Sequence, residues 1–214
     1  MGTRCTIAVL LKEENRRRGK MTFDKSLIPV VYNERNRSAM PFQDVPYRPF
    51  DLSRVGEGQV LRIYCQFDGY TKRGVGETLL THYGTYGKAL NLMLGGHLEN
   101  LVSYVDTNGT VRLGYQNWAM SGRDKAQGQR YVPQDRLINI EAADSTTLDG
   151  LYWYLFTDGK WHVHRLDVDH IQRRLPDDPE FKALPFWVPL DEFIRRDLDE
   201  RADELLRMLR RKSA

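Results

Sequence analysis

Cysteine is almost missing from this chain: among 214 residues only Cys5 and Cys65 occur. Two cysteines cannot build a dense disulfide framework or a four-cysteine zinc site. Each lies in an apolar run of strand character, which predicts buried, reduced thiols. Also lacking is any run near the roughly 18 consecutive apolar residues that a bilayer span requires, and the first residues lack the basic-then-apolar-then-small order of a secretory signal. These absences predict a cytoplasmic protein with no membrane contact. Neither sign of charge dominates, and a net charge of +3 does not imply nucleic-acid binding, since affinity for phosphates comes from clustered cations. There is no low-complexity tract, no Walker phosphate loop and no G-x-G-x-x-G after a strand. No cofactor and no metal is therefore expected.

What is present is enough to fold. Apolar residues make up 41% and charged residues 29% of the chain, and a core of this size is stable without staples. Residues 3–11 are β-branched and apolar, which predicts a buried central strand. Residues 59–68 alternate and predict its partner. Between them, residues 12–58 lose periodicity and carry closely spaced prolines, which forbid a long helix; they read as a detachable elaboration inserted between paired strands. Asp68-Gly69 turns the chain. Glu77, Leu79, Leu80 and Tyr83 predict a helix, and 86–94 a second one ending at Gly95-Gly96.

Asn108-Gly109 and Asp158-Gly159 mark hairpins over 102–115 and 151–164. Within the second, Phe156 and Trp161, together with Phe67 of the 59–68 strand, fall in the inward phase. His162 and His164 then face water. Residues 121–136 read as a polar loop. Beyond Pro176 and Pro179, the residues Leu190, Phe193, Ile194, Leu198, Ala202, Leu205 and Leu209 follow the spacing of one amphipathic helix of about five turns.

Four groups of residues could carry function. Lys72, Arg73, Gly74 and Gly76 precede a helix, where cations and free N–H groups can converge on an anion such as a nucleotide phosphate; a turn with a solvated basic face is the competing reading. Asp68, Glu77 and His82 could meet as acid and base in a hydrolase or transferase, against structural roles for Asp68 in the turn and Glu77 at a helix start. His162, His164, Asp167, Asp169 and His170 offer metal-ligand types, but outward histidines at strand spacing are not specific. Finally, Tyr32, Arg35, Arg37, Tyr47 and Arg48 interleave aromatic and cationic side chains in the insertion, a composition suited to a protein partner or to nucleic acid.

The segments Met1-Gly2-Thr3-Arg4-Cys5-Thr6-Ile7-Ala8-Val9, Gln66-Phe67-Asp68-Gly69-Tyr70 and Leu155-Phe156-Thr157-Asp158-Gly159-Lys160-Trp161 resemble a family of small bacteriophage and bacterial proteins with no established activity. The resemblance covers residues 1–11, 60–101 and, more loosely, 121–164. It implies a fold and a setting in a bacterial host but no reaction. The departures are Phe67 where the family carries Trp, the long 12–58 connection, and the helical tail beyond 176.

The expected architecture is α+β: a mainly antiparallel sheet of hairpins covered by helices, as a single domain over 1–175 with the elaboration at 12–58. A C-terminal helical segment, 176–214, packs on it. The expected function is non-catalytic binding of a host macromolecule or of a phosphorylated small ligand, with catalysis by Asp68, Glu77 and His82 as the alternative.

Overall fold

The computed structural model describes residues 3–27, 32–33, 38–39, 49–105, 111–117, 138–139 and 150–212. In chain order the elements are β1 (Cys5–Leu10), α1 (Glu13–Arg16), β2 (Lys20–Met21), β3 (Tyr32–Asn33), β4 (Ser38–Ala39), β5 (Phe50–Asp51) and β6 (Gln59–Cys65). There follow α2 (Val75–His82), α3 (Tyr86–Gly95), β7 (Leu98–Val105), β8 (Val111–Asn117), β9 (Ile138–Asn139), β10 (Tyr152–Thr157) and β11 (Lys160–Arg165). The last four are α4 (Val168–Arg174), β12 (Val188–Pro189), α5 (Leu190–Arg195) and α6 (Leu198–Lys212). Single 3₁₀ turns occupy Lys25–Leu27 and Leu52–Arg54.

A mixed, mainly antiparallel sheet runs in the order β12-β11-β10-β1-β6-β7-β8, with β9 beside β6. β1 is central, antiparallel to β6 and parallel to β10. Its mostly apolar sequence, broken only by a buried Thr6, follows from that place, because both faces of the strand are covered. On one face Cys5, Ile7, Val9, Leu61, Ile63, Tyr154, Phe156, Trp161 and Val163 join the helices' Val75, Leu79, Leu90 and Met93 in the main core. On the other, Ala8, Val60, Trp153 and Leu155 form a smaller cluster. The step from β6 through α2 and α3 to β7 is a parallel crossover, and α3 lies against β1 and β6.

The three expected strand pairings, 3–11 with 59–68, 102–115, and 151–164, are present; Asn108-Gly109 lies outside the described residues. Phe156 and Trp161 are buried, their rings edge to face at 5.1 Å, and the Trp161 indole N–H donates to the Tyr83 carbonyl at 3.0 Å. Phe67 is only half-buried, because β6 ends two residues earlier and Phe67 belongs to the turn.

The C-terminal periodicity conceals a break. The apolar stripe passes through α5 and α6, yet the chain is interrupted at Asp197, whose φ of 53° lies in the left-handed region. The N–H groups of Arg196 and Asp197 close α5 on Glu192 and Ile194. Helical spacing continues across the break because Leu190, Phe193, Leu198, Ala202 and Leu205 all reach the same core.

Described parts of the 12–58 connection, expected to be a detachable elaboration, supply core residues. Phe23, Phe50, Leu52 and Val55 are buried in the main core, β2 pairs with β5, and Asn91 of α3 both accepts from the Asp24 N–H and donates to its carbonyl. Fully burying such side chains stabilises by about 1.5–3 kcal/mol each. Prolines and charges mask this contribution in the sequence.

Candidate functional site

The recognisable Gln66–Gly76 stretch lies at the end of the sheet where β6 and β11 finish and β1 and β10 begin. Its form is set by close packing. Asp68 adopts φ 59°, and the Gly69 N–H donates to the Thr3 carbonyl at 2.8 Å. A Cβ on Gly69 would lie 2.8 Å from that same oxygen, so the residue must be glycine for the turn to sit on the start of β1. From the other side the Tyr154 hydroxyl donates to the Gly69 carbonyl at 2.8 Å.

The same turn occupies the N-terminus of α2. Val75, Gly76 and Glu77 donate their N–H groups to the carbonyls of Asp68, Tyr70 and Thr71 at 2.9, 3.0 and 2.9 Å. The Glu77 carboxylate reaches back to accept from the Arg73 N–H at 2.8 Å, holding Arg73 at φ 53°. A Cβ on Gly74 would fall 2.4 Å from the Asp68 carbonyl oxygen, and one on Gly76 2.6 Å from that of Thr71. Both glycines thus permit loop-to-helix contact. Of the residues expected to form an anion cradle, Lys72, Arg73, Gly74 and Gly76, the last donates its amide to the loop together with Val75 and Glu77, and Lys72 pairs with Asp197.

Beneath the loop lies a polar network that sequence reasoning missed. Arg165, whose side chain is only 3% exposed, donates from Nε to Asp167 at 2.7 Å and from Nη1 to the Asp199 carboxylate at 3.1 Å and carbonyl at 2.9 Å; Nη2 reaches Asp203. Asp199 also accepts from the Tyr152 hydroxyl at 2.9 Å and from Thr71 Oγ1. Burial works against the guanidinium charge, but Tyr152 and the carboxylates outweigh it and raise the Arg165 pKa. Burial, then the Asp199 charge, pushes the Tyr152 phenol up, so it stays a donor. The signal was present: Arg165 continues the inward phase of Trp161 and Val163, where a charge demands partners.

Asp68, Glu77 and His82 lie in the turn, at the start of α2 and at its end. Glu77 is bound at the start of α2 and His82 ends it; five residues place them about 140° apart around the axis, and no hydrogen bond or ion pair links the three. Burial, then nearby Lys88, lowers the His82 pKa. Tyr32 lies in β3; Arg35, Arg37, Tyr47 and Arg48 are outside the described residues.

The expectation that both histidines of β11 face water is corrected for His164, which is buried. Phe186 stacks on it at 3.9 Å, Trp153 lies at 4.9 Å, and its Nδ1 is 3.0 Å from the Phe186 carbonyl. Its Nε2 has no hydrogen-bond partner among the described residues and stands 3.8 Å from Asp169. Burial lowers its pKa, with Asp169 opposing. The second face of the sheet is therefore covered at this end by an aromatic cluster that outward phasing alone could not reveal. Among the described residues no three His, Cys, Asp or Glu side chains are grouped to hold a metal ion, and no helix is long and apolar enough to cross a membrane.

Comparison of the chain with protein-family models, with curated proteins and with solved structures finds no match. What the fold defines is an α+β protein with a mixed, mainly antiparallel sheet and a C-terminal helix.

Proposed function

We propose that this protein is a non-catalytic binding module that engages a protein partner through the loop joining β6 to α2. One observation carries the reading: Tyr70, 42% exposed, projects from a loop pinned on every side. Gly69 is fixed to β1, Thr71 to Asp199, Lys72 to Asp197, and Arg73 is held left-handed by Glu77 with its side chain exposed. Backbone strain of this kind costs about 1–3 kcal/mol and clusters where a surface is preorganised for function. Tyr and Arg are the residue types that dominate binding energy at interfaces, and a rigid presenting loop spares the entropy of ordering on contact. A phosphorylated small ligand is the poorer fit, since the amides that would hold it are committed. Resemblance to bacteriophage proteins makes a bacterial host's cytoplasm the setting, and Tyr32, Arg35, Arg37, Tyr47 and Arg48 remain candidates for a second contact.

The test compares tagged parent protein with Tyr70→Ala/Arg73→Ala in cross-linked bacterial lysates, after both are shown to melt alike. A partner identified with the parent and bound at least about tenfold more weakly by the variant supports the reading, since one hot-spot residue contributes upwards of about 2 kcal/mol. Equal capture by both proteins refutes this surface. Substrate turnover abolished by Asp68→Asn would establish catalysis instead.

A further inference from the structure

We propose that Cys5 and Cys65 form an oxidisable pair that closes an intramolecular disulfide between the two central strands of the sheet. They are directly opposite one another in the antiparallel β1–β6 register. Opposed residues share a face, with Cα atoms about 4.5–5.5 Å apart, inside the roughly 4.4–6.8 Å span of disulfides. Both are free thiols, fully buried on the core face. What oxidation gives up is the weak hydrogen bonding between the two thiols and the bond from the Cys65 thiol to the Phe67 carbonyl at 3.3 Å.

The reaction needs an oxidant small enough to enter the core, and a peroxide suffices. One cysteine, as thiolate, attacks a peroxide oxygen, breaking the O–O bond and becoming a sulfenic acid; the expelled hydroxide takes up the lost proton as water. The opposite thiol then attacks the sulfenic sulfur, forming the S–S bond and releasing a second water. Two thiols are oxidised and one peroxide reduced. Burial, reinforced by Cys65, pushes the Cys5 thiol well above its ordinary pKa. Reaction therefore waits on opening of the β1 end or of the turn above it, and is slow in the native state.

The experiment treats the reduced full chain with hydrogen peroxide, in buffer and again near its urea midpoint. The peroxide is then removed and the protein refolded. The expected product is a monomer lighter by two hydrogens, with Cys5 and Cys65 peptides linked in a map and separated by dithiothreitol. It should melt about 5–10 °C above the reduced protein, since a long closed loop is constrained. Cys5→Ala and Cys65→Ala should give no linked monomer. Thiols that stay unreacted at the urea midpoint, over-oxidised or dimeric products, or a linked monomer that melts below the reduced protein would each overturn the proposal.

Discussion

Breaking the Arg165–Asp199 contact should cost more than its few hydrogen bonds suggest. In Arg165→Met the methionine keeps much of the buried stem, but Asp167, Asp199 and Asp203 are left facing one another without their cation. Asp199 and Asp167 are only 20% and 23% exposed, so water repays part of that loss for each, whereas Arg165 at 3% has no such recourse. Removing one partner of a buried pair costs about 3–5 kcal/mol. We expect about 3 kcal/mol for Arg165→Met, and about 2 kcal/mol for Asp199→Asn, which keeps an acceptor for Thr71 and Tyr152 but loses the charge. The double variant should be more stable than the sum predicts by at least about 1 kcal/mol, because the second substitution removes a charge the first left unpaired. Urea unfolding followed by tryptophan fluorescence is suitable, since Trp153 and Trp161 are both buried. Strict additivity, or a cost below about 1 kcal/mol for Arg165→Met, would show that the network does not hold α6 to the sheet.

Three further outcomes follow from named contacts. Trp161→Ala should cost about 3–5 kcal/mol by cavity formation and loss of the bond to Tyr83; a melting temperature within a degree of the parent would contradict the strand phasing. Gly74→Ala should destabilise by more than about 1 kcal/mol through its clash with the Asp68 carbonyl, while Gly87→Ala, helical and with open space around it, should stabilise by about 0.5 kcal/mol; thermal melts in which both behave alike would refute the packing. His164 has a lowered pKa in the fold, so below about pH 6.5 the unfolded chain binds its proton first and stability falls as pH falls. His164→Gln should remove part of that slope in urea titrations across pH 7.5 to 5, and identical slopes would exclude His164 as a contributor.

The elements most legible in the sequence were those whose pattern reports a single constraint. β1 and β6 showed their pairing through β-branched and alternating residues, and Asp158-Gly159 fixed a hairpin because few sequences accept that turn. The break at Asp197 was invisible because both helices bury their stripe in one core, so periodicity survived while the backbone did not. The core contribution of Phe23, Phe50, Leu52 and Val55 was hidden for the opposite reason: these are isolated apolar residues in a segment without period. At the candidate site, glycines beside a helix suggested an anion, yet sequence could not show that carbonyls of the preceding turn had already taken the amides. Arg165 and Asp199 are 34 residues apart in the chain, and only their meeting makes either informative.

The parallel pairing of β1 with β10 has a consequence for synthesis. β6 can join β1 early, but the other edge of β1 has no strand until residues 11–151 have been made and β10 emerges. At about 5–20 residues per second this interval is roughly 7–30 s. Throughout it an apolar strand carries a row of unpaired backbone groups, the form of edge that invites pairing with another chain. Yield in a cell should therefore depend on how well the nascent chain is shielded, and slow translation of residues 70–150 should lower it even though the finished fold is unchanged.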